Sequence, residues 1–149
     1  MGSRHKARRS AVILLYQIEC SSKRPERVIK EFFENEENMS SDEREYCKLL
    51  VSGYLKNKKK IDTLISEKAE KWQLKRIADY ERNILRVGIF ELLYRDDIPP
   101  RVAINESINL AKELGSTDKS FAFINGIMDS IYKDIQDIKL KDEGRKDKK

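Results

Sequence analysis

Four cations, Arg4, Lys6, Arg8 and Arg9, stand within six residues at the start of the apolar stretch SAVILLY. If this stretch is helical, they occupy the end where exposed amide N–H groups already create positive potential, so cations are unfavourable there. The planar fork of arginine matches phosphate, and a phosphate at such an end would meet both the guanidinium groups and the unpaired N–H groups. The chemistry indicated is anion binding, along an RNA- or DNA-binding edge whose affinity falls steeply with salt. The alternative is solubilising charge at a chain terminus, and charge alone does not separate the two.

Other candidate groups carry less. KNKKK at residues 56–60 reads more simply as a solvated helix face, and the lysine-rich C-terminal stretch is weaker still. Phe121 and Phe123 in FAFING lie two residues apart and cannot share a helix azimuth, so one joins the core and the other turns towards its edge. The edge residue is either a second core contact or a platform for an unpaired base. Trp72 and Tyr94 read as core or capping contacts.

Catalysis needs converging groups, and none converge here. His5, the single histidine, sits among cations in an expected mobile first turn, and neither cysteine has an evident base. No GxGxxG, phosphate-binding GK[ST] loop, GxSxG or HExxH occurs. Cys20 and Cys47 show no CxxC or HxxxH spacing, so neither a metal site, a cofactor nor a disulfide framework is indicated, and a reduced, cytoplasmic setting is expected. AVILLY is too short to span a membrane and lacks a cleavage site, so neither a span nor a signal peptide is expected.

The elements that must position these groups are helices. Three prolines and six glycines in 149 residues, with few alternating runs, favour an all-α chain. Its size suits one compact domain, and a net charge of +5 suits an anionic partner. A first helix spans about Ser3 to Cys20, with Ala7, Ala11, Leu14, Leu15 and Ile18 as a core stripe, while Val12, Ile13 and Tyr16 need cover on the basic side. PERVIKEFFENEE makes a second, and a third starts at Ser41 or Asp42 and runs through KNKKK as one long helix or a kinked pair.

From Tyr80 to Tyr94 apolar residues point almost all round, which marks a central helix packed on several sides. Gly88 within it implies close backbone approach by a neighbour, and Pro99 and Pro100 stop it and open the next helix. That helix carries Ala103, Ile104, Ser107, Ile108, Ala111 and Leu114, with Gly115 as its C-terminal cap. Ile124, Ile127, Met128, Ile131 and Ile135 form the stripe of the last helix, and residues 139–149 are expected to be a disordered basic tail.

ARRSAVILLYQIE, ERNILRVGIFELL, IPPRVAINESINLAKELG and FINGIMDSI, in this order and spacing over residues 4 to 135, resemble the NusB family of bacterial transcription antitermination factors. The resemblance implies an all-α fold of two perpendicular three-helix bundles packed about the N-terminal and central helices. One NusB-like domain would occupy residues 1–138, with bundles at about 4–70 and 73–136. It further implies no enzymatic activity, and binding to boxA, a short single-stranded element of ribosomal RNA leaders. NusE, also a small-subunit ribosomal protein, would bind with it, and the pair would join other Nus factors on RNA polymerase to suppress premature termination.

By the same resemblance, Arg4, Lys6, Arg8 and Arg9 contact boxA, Phe123 and Asn125 of the FxNG motif lie against the RNA, and Asp118 and Lys119 lie beside them. Tyr16 and Glu81 match positions on the NusE side, whereas Arg82 and Arg86 read as structural. Two departures stand out. Relatives often carry lysine where this chain has Ala122, for which Lys119 is a substitute, and an aromatic followed by Leu where it has Lys68 and Ala69. The latter exchanges a stacking group for a charge without sequence preference. Both monomers and homodimers fit the resemblance. A protein-only helical scaffold that docks a partner without specific RNA recognition is the competing reading. Under the RNA reading, residues 4–9 are expected to be poorly ordered without RNA; ion pairing inside the protein would make their charge structural.

Overall fold

The computed structural model describes residues 3–69, 74–114 and 117–147, and beyond Ile138 it describes backbone alone. Trp72, expected as a core or capping contact, and Gly115, expected as a helix cap, lie outside the described residues. Among the described residues seven α-helices follow one another: α1 (Ser3–Cys20), α2 (Pro25–Asn35), α3 (Ser41–Lys56), α4 (Lys58–Ala69), α5 (Asp79–Tyr94), α6 (Pro100–Glu113) and α7 (Asp118–Asp147), with a 3-10 turn at Leu74–Arg76 before α5. No strand occurs among the described residues.

Local chemistry accounts for the boundaries. Pro25 and Pro100 each open a helix at a position whose N–H has no intrahelical partner. The Ser40 side chain, rather than Ser41 or Asp42, caps α3 by accepting the Glu43 N–H at 3.2 Å. The basic junction resolves into two helices, because Asn57 leaves helical geometry and its N–H and side-chain amide both turn back to the Gly53 carbonyl. The lysine-rich C-terminal stretch, expected to be disordered, continues α7 to Asp147. Lys, Asp, Glu and Arg dominate it, and most of these lose little side-chain entropy in a helix.

Helices α1, α2 and α3 pack together, as do α5, α6 and α7, and the two groups meet where α1 and α3 lie on α5. Helix α4 joins them by packing on α5 and α7. Ala7, Ala11, Leu14 and Leu15 are buried as the periodicity requires, and Val12 is fully buried as well, so α1 is covered on two sides. Every residue from Arg82 to Glu91 in α5 is buried, consistent with a central helix. At Gly88 an added Cβ would meet the Ser107 hydroxyl and, at 2.8 Å, the Met128 methyl. The close approach is therefore by side chains of α6 and α7, not by backbone.

Helices α1 and α5 run antiparallel, and polar rungs mark the seam. Arg82 and Arg86, both buried, hold Glu19 from α1, and Arg86 also grips both oxygens of Asp62 in α4 at 3.0 and 3.1 Å. Burial pushes the Glu19 carboxyl towards its neutral form, but the two guanidinium groups outweigh this and hold its pKa below the usual carboxylate value. The structural reading of both arginines is thus correct.

Candidate nucleic-acid interface

The cationic first turn of α1 meets a set of carboxylates. Arg8 is only 4% exposed, and its guanidinium donates to both oxygens of Glu91, which is 1% exposed, at 2.7 and 3.0 Å. The Tyr46 hydroxyl donates to the same carboxylate. Burial disfavours the charged Arg8, but the Glu91 hydrogen bonds outweigh it and raise its pKa, while burial and the Glu91 carboxylate hold the Tyr46 phenol protonated. Arg8 thus has no outward-facing role, which corrects its assignment to the RNA. A lone carboxylate inside the apolar run GIFELLY was the available sequence signal for a buried partner.

The neighbouring cations are also engaged. Arg4 lies 3.4 Å from Asp97 and 4.7 Å above the Tyr46 ring, and Arg9 is 3.8 Å from Glu113. His5 bridges two carboxylates of α6, with Nδ1 on Glu106 and Nε2 at 2.6 Å from Glu113. Burial lowers the pKa of the ring, yet the two carboxylates outweigh this and raise it above the ordinary histidine value. The expected mobile turn is therefore tied to α6 and to the α5–α6 connection. Its charge is structural in large part, because these helices present anions where the sequence presents cations. Arg4, Lys6 and Arg9 keep exposed side chains, and Lys6 has no carboxylate within 4 Å among the described residues.

A second region lies at the opposite end of α5. Arg76, Ile77, Ala78 and Glu81 face Lys119, Ser120 and Phe123 of α7 across an open concavity of about 280 Å³. Phe123 is half-buried at its edge, and the Ser120 hydroxyl donates to Glu81 at 2.7 Å. Lys119 and Phe123 are therefore brought together with Glu81, which the sequence assigned to a different partner; Arg76 and Ser120 were missed because nothing in their own neighbourhood marks them. Asp118, Asn125 and Gly126 are exposed on α7. Phe121 is half-buried with the Lys112 ammonium 5.8 Å from its ring.

Tyr16 is half-buried, its ring 5.6 Å from that of Tyr80, whereas the Glu81 side chain accepts from Ser120 of α7. The nearby Cys20 thiol raises the Tyr16 pKa above the usual phenol value. Lys68 pairs with Asp134 and Ala69 is buried, so the charge expected to act on RNA is held between α4 and α7. Tyr94, expected as a core or capping contact, is 37% exposed, with its ring 5.5 Å from that of Phe90. Both cysteines are free; Cys47 is buried, and burial pushes its thiol up to about 12. Among the described residues no cluster of His, Cys, Asp and Glu could hold a metal ion, and no helix is long and apolar enough to cross a membrane.

A sequence model of the NusB family matches residues 5–133. The chain belongs to the NusB family. It is 38% identical to the transcription antitermination protein NusB of Clostridium perfringens, over 90% of this chain and 99% of that one. T. maritima NusB superposes with a TM-score of 0.78 at 35% identity, covering 87% of this chain and 90% of the other. A chain in the crystal structure of antitermination factors NusB and NusE in complex with dsRNA superposes with a TM-score of 0.78 at 29% identity, covering 89% of this chain and 98% of that chain. The α1–α3 and α5–α7 groups are therefore the two bundles of the NusB-like fold.

Proposed function

We propose that the protein is an RNA-binding transcription antitermination factor that recognises single-stranded boxA RNA together with NusE and joins other Nus factors on RNA polymerase. It works by binding, without catalysis, in the cytoplasm. The observation that carries this reading is on α7. A helical glycine costs about 1 kcal/mol relative to alanine, and nothing among the described residues lies within 4 Å of where a Gly126 Cβ would sit. No packing among the described residues explains it, whereas a partner that approaches the backbone does. Gly126 follows exposed Asn125 and stands one turn from Phe123, whose ring edges a concavity also lined by the cations Lys119 and Arg76. Phe123 supplies a stacking face for an unpaired base, and the cations neutralise phosphate.

Exposed Arg4, Lys6 and Arg9 add phosphate contacts from α1, and Asp118 and Lys119 flank the RNA at the start of α7. Tyr16 and Glu81 form the NusE side. The structure of a relative with NusE and double-stranded RNA supports RNA and NusE as partners. Titrating a boxA strand with the protein, with and without NusE and at two salt concentrations, tests the whole reading. Binding should weaken with salt and strengthen with NusE. Equal affinity for boxA, its duplex and a scrambled strand would sink it. Gly126→Ala sharpens the test: it should raise thermal stability slightly yet weaken boxA binding.

A further inference from the structure

Among the described residues, a run of positive charge without an internal partner lies at the α3–α4 junction. Lys56, Lys58, Lys59 and Lys60 are exposed, and none has a carboxylate within 4 Å among the described residues. The first turn of α4 holds three lysines and no acidic residue, so each raises the potential of its neighbours. Their surroundings are not bare solvent. The Lys60 ammonium lies 5.7 Å from the centre of the Tyr94 ring, which is 37% exposed and stacks on Phe90 at 5.5 Å. Phe90 in turn sits where Gly53 of α3 carries no side chain, since a Cβ there would collide with its ring. Lys56 follows Gly53 by one helical turn and so shares the face that meets Phe90.

We infer that Lys56, Lys58, Lys59 and Lys60, together with the exposed ring of Tyr94, form a second contact surface for single-stranded RNA. Lysines meet the phosphates, and Tyr94, braced by the Phe90 ring that it meets at 31°, takes a base. A duplex keeps its bases inside and offers nothing to the ring, and an acidic peptide offers charge without a stacking face, so a single strand fits both features. The surface lies at the C-terminal end of α5 and the Phe123 concavity at its N-terminal end, about 20 Å away for a helix of this length. The inference goes beyond the boxA reading and stands or falls separately from it.

The test uses the full chain and two probes, a twelve-nucleotide uridine strand and a boxA strand, each titrated at several salt concentrations. K58Q/K59Q/K60Q should lose roughly tenfold in uridine-strand affinity and lower the salt slope by about two, at roughly 0.7 per phosphate contact. Its boxA affinity should change much less, and Phe123→Ala should show the reverse pattern. Tyr94→Leu, which keeps an apolar contact with Phe90, should weaken the uridine strand but not an abasic strand of the same length. Uridine binding within twofold of wild type in the triple lysine variant overturns the inference. So does equal loss of both strands in Tyr94→Leu, or displacement of the uridine strand by polyglutamate at matched charge. Loss of boxA recognition alone would overturn the boxA reading and leave this surface standing.

Discussion

Two basic segments open helices in this chain, and the structure treats them in opposite ways. RHKARR at the start of α1 is largely neutralised from within, since Glu91, Asp97, Glu106 and Glu113 face it. KKK at the start of α4 has no such partners among the described residues. By sequence the first looked like the binding edge and the second like ordinary solvated charge. The lesson is that cations are available to a ligand only to the extent that the fold leaves them uncompensated, and compensation comes from helices distant in sequence.

The largest effect should come from Arg8→Ala. Leaving the buried Glu91 carboxylate without its guanidinium costs about 3–5 kcal/mol. At roughly 2–4 °C per kcal/mol for a chain of this size, the melting temperature should fall by about 6–20 °C. Lys59→Ala, in the other basic segment, should move it by less than about 0.5 kcal/mol. Similar melting temperatures for the two variants would break the contrast.

Tyr46→Phe should come next. It removes a hydrogen bond to the same charged carboxylate and should cost about 1.5–3 kcal/mol, read in a denaturant titration. Arg9→Gln should cost far less, because its 3.8 Å pair with Glu113 is half-exposed. Its effect on boxA affinity should exceed its effect on stability, which tests whether the outer cations of α1 still serve a ligand.

The smallest effect concerns pH. The folded pKa of His5 is raised, so its contribution to stability is complete below the unfolded value near 6.5 and disappears as pH rises through the folded pKa. Proton NMR of this single histidine should show a midpoint above the unperturbed value, and Glu113→Gln should lower that midpoint. An ordinary midpoint in the wild type would mean that the α1–α6 latch is open in solution.

Much of the fold was legible because helix signals are local. The stripe Ala7–Ala11–Leu14–Leu15, the all-round apolar α5 and the proline starts of α2 and α6 follow from spacing over a few turns. The candidate site was legible at Phe123, which the FxNG motif marks, and at Lys119 only through the family resemblance. It was not legible at Arg76 and Ser120, which join the concavity only when the turn before α5 meets α7. Nor could the sequence place Glu81 beside Phe123, since the contact spans some forty positions.

The sequence by itself determined the helical class, the two-sided α1 and the membership of a family, because these rest on periodicity and on motifs in register. Tertiary structure alone decided which charges are free. Electrostatic compensation acts across a few ångströms of space, irrespective of chain separation, so Arg8 is buried against a carboxylate 83 residues away. Lys58 and Lys59, which the sequence could equally have paired, remain open to solvent.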